Sequence, residues 1–274
     1  MRIALTGASG IVGGFVLRAA RALGHSVTVL GRDTGYRLGD APDLSGQEAL
    51  IHCAFAHEPG RYRGGEGKDP VSFQHANLTG SIRLFDAATD GGVDRILFLS
   101  SRAVYDGYPD GTALTDDLPP RPANLYGEVK AQAEAHLRGL PLHGTAIRAT
   151  GVYGPGQGHK WRELFADYVA GRHVGPRVGT ELHGEDLARA ALMLLAQDAP
   201  PASVNASDLL LDRRDLLAEV QALTASRHPL PALPARADAS AVKVQDCARL
   251  RAMGWQPGGM ALLRSSLPAM LGPS

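Results

Sequence analysis

Along the first thirty residues apolar and polar positions set a rhythm that the next 120 repeat. "RIALT" is a short apolar run ended by Gly7, and "SVTVL" is a second run rich in β-branched residues. Between them "IVGGFVLRAARALG" spaces its apolar residues as one face of a helix and stops at Gly24. "ALIHCAF", "RILFLSS" and "GTAIRATGVY" read as further buried strands. "DPVSFQHANLTGSIRLFDAATDGG" reads as one long helix with a glycine stop, and "NLYGEVKAQAEAHLRGL" as another, with Asn124 in the N-cap position. Short apolar strands alternating with helices of this length predict an α/β fold with a doubly wound parallel sheet, covered on both faces.

After about residue 150 the rhythm loosens. "GPGQGHK" is a loop, "WRELFADYVAGR", "EDLARAALMLLAQ" and "DRRDLLAEVQALTA" are helices, and the proline-rich "RHPLPALPARADAS" is an exposed connection. The expected division is a dinucleotide-binding domain over residues 1–150 and a smaller, partly helical substrate-binding lobe over 151–274, interleaved with it.

Composition narrows the partners. Hydrophobic residues make up 44% and charged residues 20% of the 274, which supports a packed core rather than bulk disorder. Lys+Arg and Asp+Glu are both 28, so the net charge is zero. No Lys/Arg block stands out, which removes the main electrostatic reason to bind nucleic acid or an acidic membrane. Cys53 and Cys247 form neither a disulfide framework nor a metal-ligand spacing, and the ten histidines include no H-x-x-x-H pair. The expectation is no metal and a reducing, cytoplasmic setting. "MRIALTGASGIVGGFVLRAARA" loosely has the layout of an export signal, but four glycines interrupt its apolar stretch. No run of about 18 apolar residues suggests a membrane span.

"TGASGIVGG" places Gly7, Gly10 and Gly13 between a strand and a helix, with Ser9 and Ile11 in the same turn. The first glycine permits a tight turn, the second lets a phosphate approach the backbone, and the third lets helix and strand pack closely. The helix N-terminus then offers unpaired N–H groups and a partial positive charge to a pyrophosphate. This is the layout of a Rossmann-type dinucleotide site. At the end of the second strand, where NAD sites place a carboxylate, stand Gly31 and Arg32. An arginine pairs with a 2′-phosphate, so NADP is preferred over NAD. Asp33 keeps NAD open if the turn is shifted, and Arg32 is otherwise a surface turn residue.

These residues resemble the short-chain dehydrogenase/reductase superfamily, in its extended branch of NAD(P)-dependent epimerase/dehydratase-like proteins. The likeness runs in one order to about residue 190: "TGASGIVG"; "IHCAFA", similar to a strand end beside the cofactor and bringing in Cys53 and Ala54; "ANLTGSIRLFDAA", with Asn77; "FLSSRAVYDG"; "LYGEVKAQAE"; "IRATGVYGP"; and "ELHGEDLARA". The resemblance implies a catalytic triad of Ser101, Tyr126 and Lys130. Tyr126 is the general acid/base, Lys130 its helper and a ligand of the nicotinamide ribose, and Ser101 holds the reacting oxygen. Elementary chemistry agrees. A free phenol with a pKa of about 10 holds its proton too tightly at neutral pH. A nearby ammonium favours phenolate, and four residues is one helical turn. Ser100 serves the turn or the cofactor, and Asn77 positions a helix break or a water near Lys130.

Departures from the family pattern direct the chemistry. Dehydratases of this branch carry an Asp-Glu pair after the catalytic hydroxyl residue, where this chain has Arg102 and Ala103. Dehydration is therefore disfavoured, and "GTELHGED" lacks the Arg-Asp-Phe segment of many nucleotide-sugar enzymes, which makes a bulky nucleotide-sugar doubtful. The expected activity is hydride transfer between NADP(H) and a small carbonyl/alcohol substrate, perhaps a sugar derivative. The alternatives are an epimerase using the same triad and a non-catalytic cofactor-binding protein. Expected substrate contacts are Ser101, Arg102, Tyr105, Lys160 and Trp161. Lobe packing is the competing role for Trp161, and His52 and Arg148 read as structural. The family also implies a homodimer.

Overall fold

The computed structural model describes residues 1–58, 65–156, 158–232 and 242–272. Part of the proline-rich connection expected over 227–240 lies outside these residues. Six parallel strands form the main sheet: β1 (Arg2–Thr6), β2 (Ser26–Leu30), β3 (Ala49–His52), β4 (Arg95–Ser101), β5 (His143–Ala149) and β8 (Ser203–Ala206). Their spatial order is β2-β1-β3-β4-β5-β8. The chain reverses direction of winding between β1 and β3, and a crevice opens there beyond the strand ends.

Alternation along each strand divides the core in two. Ile3, Leu5, Ile51, Leu97 and Ile147 face α1 (Ile11–Ala22) and α6 (Gly184–Leu195). Ala4, Leu50, Ile96, Phe98 and Ala146 face α3 (Gly80–Asp90) and α4 (Leu125–Arg138). Burial on both faces explains why these strands read as continuous apolar runs rather than as alternating ones. Asn124 caps α4, its side chain accepting the Gly127 N–H at 2.9 Å.

The expected long helix after Asp69 is three pieces: α2 (Pro70–Gln74), a π-helical turn over His75–Thr79, and α3. The expected strand "GTAIRATGVY" is two. β5 ends at Ala149, and β6 (Gly151–Tyr153) leaves for a second sheet, pairing in parallel with β7 (Val178–His183), which pairs antiparallel with β9 (Leu209–Asp212). A lobe core of Tyr153, Trp161, Phe165, Leu217, Leu263 and Leu267 joins this sheet to α5 (Arg162–Val169), α7 (Arg213–Thr224) and α9 (Gly259–Leu271). A short α8 (Ala248–Ala252) packs near β8. The second half of the chain thus supplies both the lobe and the last strand of the main sheet. Among the described residues no helix is long and apolar enough to cross a membrane.

Candidate active site

The strand ends open into one cavity of about 1320 Å³. Its first wall is the glycine turn. Gly7 has φ +73, and a Cβ there would stand 2.6 Å from the backbone nitrogen of Ala54. A Cβ on Gly13 would press into the Gly7 carbonyl. Both positions therefore demand glycine, one for conformation and close approach to β3, the other for contact between helix and turn. Thr6 ties the turn to β3, its Oγ1 accepting the N–H groups of Cys53 at 3.2 Å and Ala54 at 3.1 Å. α1 begins at Ile11 with no side-chain cap, which leaves its N-terminal N–H groups to a ligand. Ser9, Gly10 and Ile11 line the cavity here. A cradle whose surface consists of backbone that side chains would fill fits the pyrophosphate of a dinucleotide. At the end of β2, exposed Arg32, Asp33 and Arg37 line the same cavity.

Behind Cys53, His52 is buried and held from both sides, by Thr6 Oγ1 at 2.7 Å and Ser81 Oγ at 3.0 Å. Burial, with the Lys130 charge adding to it, drives its pKa down to about 3, so it stays neutral. Burial pushes the Cys53 thiol up to about 12, which leaves it an unreactive wall residue.

The next wall carries the expected triad. β4 delivers Ser101, whose Oγ accepts the Ala103 N–H at 3.2 Å and keeps its own proton to donate into the cavity. α4 delivers half-buried Tyr126 and buried Lys130 to the same cavity. The Lys130 ammonium donates to the Leu99 carbonyl at 2.7 Å and lies 4.3 Å from the Phe55 ring centre and 4.6 Å from that of Phe98. Burial lowers its pKa to about 7, while Cys53 and Glu134 act in the opposite direction. The ammonium sits 6.0 Å from the Tyr126 ring centre, and Phe55 meets that ring edge-on at 5.1 Å. Phe55 is thus a positioning side chain shared by the tyrosine and the lysine. It lies within "IHCAFA", where its apolar character offers no chemical signal.

The far end of the cavity belongs to the lobe. Lys160 and Glu181 form an ion pair there, the carboxylate buried and the lysine partly exposed. Gly151, register partner of Glu181, leaves the room: a Cβ on it would lie 2.5 Å from Lys160 Nζ. Burial raises the Glu181 pKa, opposed by Lys160, Arg177 and Arg102, and burial lowers that of Lys160. Arg177 and Arg213 also line this end. Spacing along the chain carries no sign of these residues: the β6–β7 pairing brings Glu181 to Lys160, and the β7–β9 pairing joins Arg177 and Arg213 at the edge of the same sheet.

The cavity therefore brings together Gly7, Ser9, Gly10, Ile11, Gly13, Arg32, Cys53, Ala54, Ser100, Ser101, Arg102, Tyr126, Lys130, Lys160 and Trp161. It does not include Tyr105 or Asn77. Tyr105 is fully buried, its hydroxyl donating to Asn205 Oδ1 at 3.0 Å and accepting from Arg148, so it stands behind the wall. Asn77 lies in the π-helical turn and clasps Ala56, accepting its N–H and donating to its carbonyl, both at 2.7 Å. Trp161, only 6% exposed, stacks on Tyr153 at 4.7 Å, so one face of the cavity is also lobe core. Arg102 packs toward Asp106 at 3.7 Å.

The model of the NAD dependent epimerase/dehydratase family matches residues 3–207, three quarters of the chain, and the chain belongs to this family. It is 28% identical to a UDP-glucose 4-epimerase of Corynebacterium glutamicum over 209 residues, covering 68% of this chain and 63% of that protein. The chain spans less than two thirds of the length of the curated relatives it matches. In fold it is similar to the UDP-glucose 4-epimerase of Thermus thermophilus in complex with NAD, with a TM-score of 0.78 at 23% identity, covering all of both chains. RMD from Pseudomonas aeruginosa complexed with NADPH gives the same TM-score and identity, covering 98% of this chain and 97% of that one. The family expected from the ordered motifs and the Rossmann-like fold are both what is found.

Proposed function

We propose that the protein is an NADP-preferring oxidoreductase that interconverts a small carbonyl and its alcohol, with Ser101, Tyr126 and Lys130 at the reacting centre. The observation that carries this reading is that one cavity has the glycine cradle on one wall and these three side chains on the next. A nicotinamide dinucleotide, when bound, supplies or accepts the hydride. Ser101 donates a hydrogen bond to the substrate oxygen and orients it. Tyr126 gives its proton to that oxygen as negative charge develops, or takes it in the reverse direction. Lys130 places positive charge beside the phenol and favours its deprotonated form. Arg32 and Arg37 at the end of β2 support NADP, because guanidinium groups pair with a terminal phosphate where Asp33 alone would repel it.

The Lys160–Glu181 pair supports a polar, hydroxyl-bearing substrate such as a sugar derivative. Lys160 offers donors and Glu181 acceptors at the end of the cavity away from the glycine turn. Similarity to UDP-glucose 4-epimerases favours a second reading, in which one bound cofactor oxidises and re-reduces the same substrate.

The first test is thermal melting with NADPH and with NADH. The expected result is the larger rise with NADPH, abolished in Gly13→Ala; a larger rise with NADH overturns the cofactor preference. The second is a panel of sugars, sugar acids, aldehydes and UDP-glucose, followed by nicotinamide absorbance and by product analysis without added oxidant. Turnover that consumes cofactor in step with product marks the dehydrogenase, and isomerisation without net consumption marks the epimerase. Size-exclusion chromatography tests the homodimer that belongs to the same reading.

A further inference from the structure

Behind the Lys130 wall lies a charged cluster that the proposed chemistry does not use. Tyr126, Lys130 and Glu134 follow one another at single-turn spacing along α4, so they share a face. Glu134 and Arg148 are both 2% exposed. Arg148, on β5, grips the Glu134 carboxylate with Nε at 3.1 Å and Nη2 at 2.7 Å, while its Nη1 serves the Tyr105 hydroxyl. Ser100, on β4, donates its hydroxyl to the other carboxylate oxygen. The residue before Ser100 is Leu99, whose carbonyl accepts from the Lys130 ammonium. Glu134 therefore holds the peptide that holds Lys130.

Lys130 itself makes no ion pair among the described residues; a carbonyl and two aromatic faces receive it. The groups around it are Tyr126 and Glu134 from α4, His52 from β3 and Cys53 just after it, Ser100 from β4 and, beyond the carboxylate, Arg148 from β5. His52 and Cys53 are neutral for the reasons given above. One buried carboxylate thus serves two buried cations. We propose that Glu134 is a positioning residue for Lys130: fixed by Arg148 and Ser100, it is the counter-charge that keeps Lys130 an ammonium at the cavity wall.

The direction of each force is clear. Withdrawal from water favours a neutral amine at Lys130; Cys53 and Glu134 oppose this, Cys53 only as its thiol ionises near pH 12, which leaves the opposition at neutral pH to the carboxylate. The carboxylate acts on Lys130 without touching it, because its oxygens are taken by Arg148 and Ser100. It can neither swing into the cavity nor compete for the cofactor. The functional consequence rests on the role proposed for Lys130, but the charge relation does not.

The chain has four lysines, Lys68, Lys130, Lys160 and Lys243, so a lysine-labelled sample gives few enough NMR signals to follow each through a pH titration. Loss of one signal in Lys130→Arg assigns it. The expected midpoint for Lys130 is about 7 in the wild type. In Glu134→Gln it falls by roughly one unit or more. The pH above which NADPH affinity declines moves down with it. An unmoved midpoint in folded Glu134→Gln overturns the proposal. If that variant does not fold, Glu134→Gln with Arg148→Met removes both buried charges at similar volume, a change that cores tolerate better than a broken pair. A smaller fall is then expected, and a midpoint that stays or rises overturns the proposal. A midpoint that falls while NADPH affinity ignores it supports the charge relation and overturns the cofactor role of Lys130.

Discussion

Two lysines face the same cavity and are held in opposite ways. Lys160, on the lobe, is clamped to Glu181, and both partners sit in a pocket made by the missing side chain of Gly151. Lys130, on the Rossmann wall, rests on a carbonyl and on aromatic faces, with its nearest carboxylate engaged elsewhere. Burial lowers both pKa values, that of Lys130 to about 7, and at Lys160 the Glu181 carboxylate in direct contact pushes the other way. A direct partner fixes a charge, whereas a remote one leaves it adjustable. On the function proposed above, the lobe end would recognise the substrate, and the Rossmann wall would respond to the charge that arrives beside it.

The largest effect expected from this contrast is at the responsive wall. Tyr126→Phe removes the proton and keeps the ring against Phe55. Turnover should fall by about 10²- to 10⁴-fold with little change in melting temperature, measured on any substrate the panel yields. A variant that keeps full activity removes the tyrosine from the chemistry.

Lys130→Met should lose activity to a comparable degree and gain stability, with a pH signature. Folding lowers this group's pKa from 10.5 to about 7, so between those values the unfolded chain binds more protons than the folded one. The folded state therefore gains relative stability from this group as pH rises through that window, and bears the full cost of burying the charge below 7. The melting temperature of the variant should exceed that of the wild type most below pH 7, with the gap closing toward pH 10.5. A constant gap would mean that lost packing, not charge, governs the difference.

At the lobe end, Glu181→Gln leaves partly exposed Lys160 without its buried partner. Melting should drop by several degrees, and Lys160→Met combined with Glu181→Gln should recover most of the loss while raising KM. A double variant with unchanged KM would take the pair out of substrate recognition. The smallest effect is at Asn124→Ala, which removes the α4 cap and should cost about 1 kcal/mol by chemical denaturation, with kcat nearly unchanged. A large loss of kcat would show that the start of α4 sets the Tyr126 position.

How much of this was legible depended on sequence distance. The glycine turn, the strand–helix alternation and the Tyr126–Lys130 spacing are local patterns, and each could be read within a dozen residues. Asn124 announced its cap for the same reason. "GTAIRATGVY" reads as one strand because both halves are apolar; only the partners of β6 reveal that Ala149 ends one strand and Gly151 opens another in a second sheet. Tyr105 looked like a cavity residue because it follows Ser101 by one turn, but Arg148 and Asn205 draw its hydroxyl away. The Lys160–Glu181 and Glu134–Arg148 pairs join side chains from different elements, and spacing alone carries no sign of them. β8 was missed because "SVNA" mixes polar residues into a fully buried strand, with Asn205 satisfied by Asp116 and the Leu114 carbonyl.

The π-helical turn at His75–Thr79 has a consequence for anyone redesigning this chain. The wide turn carries one residue more than a regular coil would hold, and Asn77 within it lends its amide to Ala56 as a neighbouring strand would. Smoothing the segment into an ideal α-helix by deleting one residue would improve local geometry and rotate that amide out of reach. The strand extension bearing Phe55 would come loose with it, so the irregularity is better regarded as a splice to be preserved than as a flaw to be repaired.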